Sequence, residues 1–453
     1  MTTAVKNVHL NVGSLADLVY RCKVETAFLA MVTTQGGLKG KAVDASVLLR
    51  QLEGGTLRPE VCGYLLDTDL GMSASAWGSG FGDVELRPDL GRTHRLPWLH
   101  RTALVLADPV TADGRPLPTA PAAILRDQLA ALEKLGYVLR VGLETEFVLY
   151  RGTAEQAADR GYRGQVPLTR TTGDYTLDLP TGAAEFTAEL RRVLSAAGCP
   201  VEAVKWESAP GQVEVTFPYG DPLAACEQHL LFKHAARTLA ERRGLTATFM
   251  AAPETGIGSG LHLHVSLWRD GEPVTCLPGA EYELSSDGQR AVAGVLAVLP
   301  DLVPMLAPYV NSYRRLQPRS FAPTRWTWGR DNRTCALRVV GRDRGLRIEV
   351  RVPGADANPY LALAAVAAGI RHGIANDLTP PEPIVGDGYD VGSARPLPFS
   401  LADALAAFEG SALATNLLGT DVTARLAGVA HLELDHHAPL VSTAEIARGL
   451  AHA

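Results

Sequence analysis

The sequence predicts an α+β protein built as a small N-terminal domain followed by a large catalytic one. Three observations carry that expectation. Up to Leu106 the chain mixes short helix-like and strand-like segments, a stretch rich in Pro, Asp and Gly comes next, and beyond it strands with one apolar face alternate with amphipathic helices. The 453 residues are 46% hydrophobic and 20% charged, with a net charge of −6. Such a chain can bury a large core, which excludes wholesale disorder, a collagen-like repeat or a disulfide miniprotein. Its mild acidity argues against a nucleic-acid coat. The six cysteines form no C-x-x-C pair and read as reduced thiols of a cytoplasmic protein. No membrane segment is expected, because the most apolar helix candidate, Leu361–Ile370, is about half the ~20 residues a bilayer requires.

In chain order, Leu15–Val24 reads as a helix and Thr26–Thr33 as an apolar strand, with Gly36-Gly37 and Gly40 punctuating the short segments after it. Asp108–Pro121 reads as a linker and sets the expected domains at residues 1–112 and 113–453. Ala122–Leu135 has helical spacing and stops at Gly136. Comparable stretches are Ala184–Ala197, Leu223–Arg243, Arg290–Leu306, Pro359–Ile374 and Thr443–Leu450.

The strands carry the chemistry. Side chains alternate along a strand, so in Val138–Tyr150 the acids Glu144 and Glu146 project together, opposite Val141, Leu143, Phe147 and Leu149. Paired carboxylates repel unless a cation stands between them; one such pair alone also suits a hydrated strand face. The same grammar recurs in Leu261–Leu267, with His262, His264 and Ser266 on one face, and in Leu346–Val352, with Arg347, Glu349 and Arg351. Between Glu207 and Thr216, Pro210-Gly211 turns the chain so that Glu207 and Glu214 approach each other. Carboxylates with one or two imidazoles suit Mg²⁺ or Mn²⁺, and the absence of thiolates argues against structural zinc. Arginines in the same cavity suit phosphates and carboxylates. Metal and arginine facing one ligand is the construction expected for phosphoryl transfer from a nucleotide. No P-loop or dinucleotide fingerprint is present, so side chains would have to hold that nucleotide.

These segments resemble, in order and spacing, the bacterial type I branch of the glutamine synthetase family. The matching pieces are Leu143–Phe147 (LETEF), Trp206–Glu214 (WESAPGQVE), Gly258–His264 (GSGLHLH), Asn311–Pro318 (NSYRRLQP), Asp331–Val339 (DNRTCALRV) and Arg347–Leu361 (RIEVRVPGADANPYL). The resemblance implies a β-grasp-like N-terminal domain and a catalytic domain with a curved antiparallel sheet and surrounding helices. It implies two divalent ions, Mg²⁺ or Mn²⁺, one held by Glu146, Glu207 and Glu214 and the other by Glu144, His262 and Glu349. Glu202, His264 and Ser266 would contact ATP, and Arg333, Arg338, Arg344 and Arg347 its phosphates or the transferred group. Arg315 and Arg351 would grip the carboxylate of glutamate, with the Gly258 backbone lining its amino-acid end. The implied reaction phosphorylates the γ-carboxylate of glutamate with ATP, and an amine then attacks the acyl phosphate. The implied assembly is a homododecamer of two hexameric rings.

Three departures from the family pattern are informative. The D-G-S-S segment that carries an ammonium-binding Asp is replaced by Asp69–Trp77 without that motif, the flap Glu is Phe321, and the Asn before the Gly-Ser-Gly turn is Ile257. Capturing ammonium needs an anionic, hydrogen-bonding site. Trp77 and Phe321 would instead favour the carbon skeleton of an organic amine. The pattern is therefore similar to enzymes that glutamylate polyamines, ethanolamine or other monoamines. Asp83, matching a family acid near the amine site, is the first candidate proton acceptor, and Asp69 the second. The alternatives are an ordinary glutamine synthetase with a substituted flap, and a non-catalytic structural or regulatory oligomer, which would be expected to lose metal ligands.

Overall fold

A computed structural model of the protein describes residues 15–55, 59–63, 70 and 82–452. The first sheet has the order β2-β1-β5-β4-β3, formed by β1 (Thr26–Val32), β2 (Leu38–Asp44), β3 (Glu60–Cys62), β4 (Asp83–Arg95) and β5 (Thr102–Val110). The central pair β1 and β5 runs parallel and every other pair antiparallel, a β-grasp-like arrangement. Helix Ala45–Glu53 is started by Asp44, whose carboxylate accepts from the N–H groups of Ser46 and Val47. Leu48 and Leu49 of that helix pack with Leu29, Met31 and Val105 on one face of the sheet. Strand alternation turns Ala30, Leu104 and Leu106 the other way, into a core shared with Phe186 and Phe232 of the larger part of the chain.

The second sheet follows the order β13-β14-β15-β11-β6-β9-β8. Its strands are β6 (Val138–Arg151), β7 (Val166–Pro167), β8 (Ala203–Trp206), β9 (Gln212–Thr216), β10 (Leu245–Thr248), β11 (Leu261–Arg269), β12 (Glu272–Pro273), β13 (Trp328–Arg330), β14 (Leu337–Val340) and β15 (Arg347–Val350). The short strands β7 and β10 pair with β6, and β12 with β11. Helices Pro121–Glu133, Ser286–Val298 and Pro359–Ala375 share a core with Leu143, Leu263 and Ile348, while Thr181–Ala196 and Pro222–Arg242 cover Phe147, Val213 and Val215. Apolar side chains on the helix-covered face leave the alternate residues of β6, β9, β11 and β15 to line a polar face.

Three local expectations change. Asp108 and Pro109 belong to β5 and not to a linker, because Asp108 faces Arg92 at 2.9 Å and Arg126 at 2.7 Å: its charge marks ion pairing rather than a loop. The helix expected over Arg290–Leu306 runs from Ser286 to Val298 and gives way to tight turns at Leu299–Asp301 and Val303–Met305. Pro300 and Pro304, which have no N–H to donate, account for the break. Helices Leu401–Glu409, Ala412–Leu418 and Thr420–His437 are additions to the elements expected from sequence. Among the described residues no helix is long and apolar enough to cross a membrane.

The two sheets are tied by buried charge as well as by apolar packing. Arg92 of β4 donates to Glu227 at 2.5 Å and to Asp108 at 2.9 Å, and His94 lies 3.4 Å from the same Glu227 carboxylate. Burial alone would push Glu227 up, yet the His94 contact and the Arg92 charge outweigh it and hold the carboxyl below its ordinary range. A carboxyl depressed in the folded state stabilises above its unfolded pKa and loses that contribution as pH falls through the folded value. Glu227→Gln is accordingly predicted to cost roughly 2–3 kcal/mol at neutral pH, less than a fully broken buried pair, because Arg92 keeps Asp108 as its remaining charge partner. Thermal unfolding from neutral to acid pH tests this: the deficit should shrink below about pH 4. An unchanged melting temperature at neutral pH would refute it.

Candidate active site

Cross-strand register assembles two acid clusters on either side of β6. Glu144 lies opposite His262 of β11, while Glu146 lies opposite Glu214 of β9. On β15, Glu349 lies opposite both His264 of β11 and Arg338 of β14. Ligand atoms of Glu144, His262 and Glu349 all fall within 4.8 Å of one another, and so do those of Glu146, Glu207 and Glu214. Among the described residues, these are the same two sets of three that the family pattern implies as ligands.

The clusters differ in charge balance. In the first, His262 Nδ1 is 2.8 Å from Glu144, Arg338 donates to Glu349 at 2.9 Å, and Arg351 pairs with the other Glu349 oxygen. Burial would raise both acids, but the contacts of His262 and His264 hold Glu144 far below its ordinary range, and Arg351 and His262 hold Glu349 down at about 2. The second cluster is not compensated in this way. Burial raises Glu146, and burial with the charge of Glu144 pushes Glu214 up to about 10. Lys205 of β8, opposite Glu214, brings its Nζ to 2.7 Å from Glu207 and 3.2 Å from Glu214. Glu207 Oε1 is nonetheless buried without an aligned hydrogen bond. An oxygen-rich cluster with an under-satisfied carboxylate fits a hard divalent cation.

Backbone geometry keeps this polar face tight. Gly260 N–H donates to Glu146 at 2.8 Å, and a Cβ on Gly260 would stand 2.7 Å from both Arg315 Nη2 and His262 Nε2. At Gly258 a Cβ would meet Arg315 Cγ at 2.9 Å, and its carbonyl accepts from Gln212 at 2.8 Å. Arg315 is buried and donates to the carbonyls of Val352 and Arg351. Arg351 donates to the carbonyls of Arg333 and Phe321, which ties the Phe321 segment to β15. Phe321 itself has φ of 60° and is 67% exposed, so its ring is not buried in the core.

The remaining expected residues are distributed around this centre. Arg347 donates to His264 Nδ1 at 3.1 Å, and Ser266 accepts from Trp268 at 3.0 Å. Arg333 lines a cleft of about 330 Å³ with Asp331, Asn332 and Val385, and Asp331 also holds Arg338. Arg344 is exposed and paired with Glu272, and Glu202 is exposed at the approach to β8. Asp83 is exposed at the start of β4, in the small sheet rather than beside the acid clusters. Asp69 and Trp77 lie outside the described residues. Sequence reasoning misses Lys205, Asp331 as a partner of Arg338, and Gln212, which also contacts Glu146 at 3.2 Å. The signal for Lys205 is its place two residues before Glu207, on the same side of an extended segment.

The family sequence model described as glutamine synthetase, catalytic domain, matches residues 118–448. A gamma-glutamylethanolamide synthetase of Streptomyces coelicolor is 40% identical over 448 residues, covering 97% of this chain and 95% of that protein. A glutamate–isopropylamine ligase of a Pseudomonas species is 32% identical over 446 residues, 96% of each. The solved GmaS–ADP complex superposes with a TM-score of 0.84 at 27% identity, covering 96% of this chain and 99% of that one.

Proposed function

The chain belongs to the glutamine synthetase family, and from that premise we propose that it joins the γ-carboxylate of glutamate to a small organic monoamine, ethanolamine first among them, at the expense of ATP. The observation that carries the amine assignment is Phe321, an exposed aromatic in the flap, where the family pattern has an acid. Ammonium needs negative charge and hydrogen-bond acceptors for capture, whereas a phenyl ring covers the carbon skeleton of a larger amine. Similarity over nearly the whole chain to one relative named for a γ-glutamylethanolamide product and another named for isopropylamine as the amine it ligates supports the same class.

A carboxylate is a poor electrophile, so its activation is the central problem. Transfer of the γ-phosphoryl group of ATP to the glutamate γ-carboxylate gives an acyl phosphate, and attack by the amine expels phosphate and releases one proton. In this reading Arg315 and Arg351 hold the acid substrate, with the Gly258 backbone beside it. His264, Ser266 and Glu202 face the nucleotide, and Arg333, Arg338, Arg344 and Arg347 offset charge on its phosphates and on the group in transfer. Glu146, Glu207 and Glu214 would hold one Mg²⁺ or Mn²⁺, and Glu144, His262 and Glu349 another. Such ions screen phosphate charge and polarise the oxygens in transfer. Asp83 is the proposed proton acceptor, supplied by the small sheet of a neighbouring subunit in a cytoplasmic homododecamer, with Asp69 as its alternative and Trp77 as a second wall of the amine pocket.

The purified enzyme, given ATP, Mg²⁺ and glutamate, should release ADP and phosphate when ethanolamine is added, and less readily with isopropylamine, putrescine or ammonium. Efficient glutamine formation from ammonium would replace this reading with that of an ordinary glutamine synthetase. The non-catalytic oligomer is disfavoured because both acid clusters are complete.

A further inference from the structure

Lys205 has no part in the reaction proposed for this site, yet its ammonium occupies the acid cluster that most needs a cation. It stands 2.7 Å from Glu207 Oε1 and 3.2 Å from Glu214 Oε2. The fit is poor, since Glu207 Oε1 remains without an aligned donor. A way out is visible on the other side of the ammonium: the Tyr175 hydroxyl lies 3.4 Å from Nζ and the Tyr175 ring centroid 4.5 Å from it. Tyr175 is 65% exposed, with φ of 56°, so the side chain that the ammonium already lies over borders solvent and leaves it a way out.

We propose that Lys205 is a built-in counter-cation of the Glu146–Glu207–Glu214 cluster, displaced outward along Tyr175 toward solvent when a divalent ion enters. The inference rests on the reading of this cluster as a metal site. Three carboxyl groups within 4.8 Å of one another repel strongly if all are ionised with no cation between them. A single ammonium relieves part of that repulsion but cannot satisfy a ring of oxygen donors, whereas a divalent ion takes six or more of them. Lys205 therefore keeps the empty site folded and lowers its affinity for the ion, because metal binding must first move the ammonium. A strand-borne lysine suits this role: its flexible stem lets the charge withdraw without moving β8.

The test uses metal binding and lysine chemistry in the absence of ATP, glutamate and amine. In wild-type enzyme, reductive methylation followed by peptide mass mapping should find Lys205 protected without metal and reactive when Mn²⁺ is saturating. In Lys205→Met, Mn²⁺ titration followed by electron paramagnetic resonance should show at least about tenfold tighter binding at one site, with a lower melting temperature in the metal-free form. Equal protection of Lys205 with and without bound Mn²⁺, or unchanged affinity in Lys205→Met, would overturn the displacement while leaving the metal site standing. If the wild-type enzyme takes up no divalent ion at all, the metal-site reading itself fails and this inference falls with it.

Discussion

Glu349→Ala is expected to lower turnover by roughly 10³-fold, the scale seen when a charge-stabilising group is removed from a reacting centre. Glu349 is 1% exposed and contacts Arg338, Arg351 and His262 together. Its removal takes one carboxylate from the proposed metal cluster and leaves two guanidinium groups facing each other with their shared counter-charge gone. The second effect costs stability, roughly 3–5 kcal/mol for a broken buried pair. Glu349→Gln separates the contributions, since it keeps the volume and an acceptor oxygen but not the charge. Steady-state ADP release and thermal unfolding, each with and without Mn²⁺, should show Glu349→Gln closer to wild type in stability than in turnover. Wild-type turnover in Glu349→Ala would mean that the assignment of the two clusters is wrong.

Phe321→Glu should produce the largest change in selectivity. The substitution puts a carboxylate on the segment whose backbone carbonyl at residue 321 accepts from Arg351, one of the two arginines proposed to hold the acid substrate. Apolar contact with an organic amine is lost and an acceptor for ammonium is gained. The ratio of kcat/KM for ethanolamine to that for ammonium should fall by about 10²-fold, within the range expected when a site exchanges apolar for polar recognition. The side chain is 67% exposed, so the fold should tolerate the change, although glutamate shares the left-handed backbone strain that phenylalanine already bears here. A matched loss with both amines would indicate a damaged flap instead of altered recognition. An unchanged ratio would remove Phe321 from the amine pocket.

The polar strand faces are legible in the sequence because period-two alternation is a local property. Glu144 with Glu146 and His262 with His264 each declare a shared face within a few residues. Register is not local, and it decides which acid meets which partner: Glu146 meets Glu214 and Glu144 meets His262 only once β6 is flanked by β9 and β11. Lys205 escapes notice for that reason, since its significance lies across the ladder at Glu214. The helix Thr420–His437 is hidden differently. Its inward side includes Ala427, Ala430 and a buried Glu433 that accepts from the Val310 N–H, so the apolar stripe is too thin to stand out. Asp108 misleads in the opposite sense, because a charged residue beside proline imitates a loop when its arginine partners lie elsewhere in the chain.

Arg92, His94 and Asp108 belong to the small sheet, while Glu227 and Arg126 belong to helices that support the large one. For protein engineering, these parts are consequently not interchangeable modules. A chimera that takes its first hundred or so residues from a relative must import a matching guanidinium at the position of Arg92, or change Glu227 in the recipient. Otherwise the graft leaves a carboxylate stranded in the seam. Shuffling libraries made from such enzymes should therefore recover Arg92 and Glu227 together far more often than independent assortment allows.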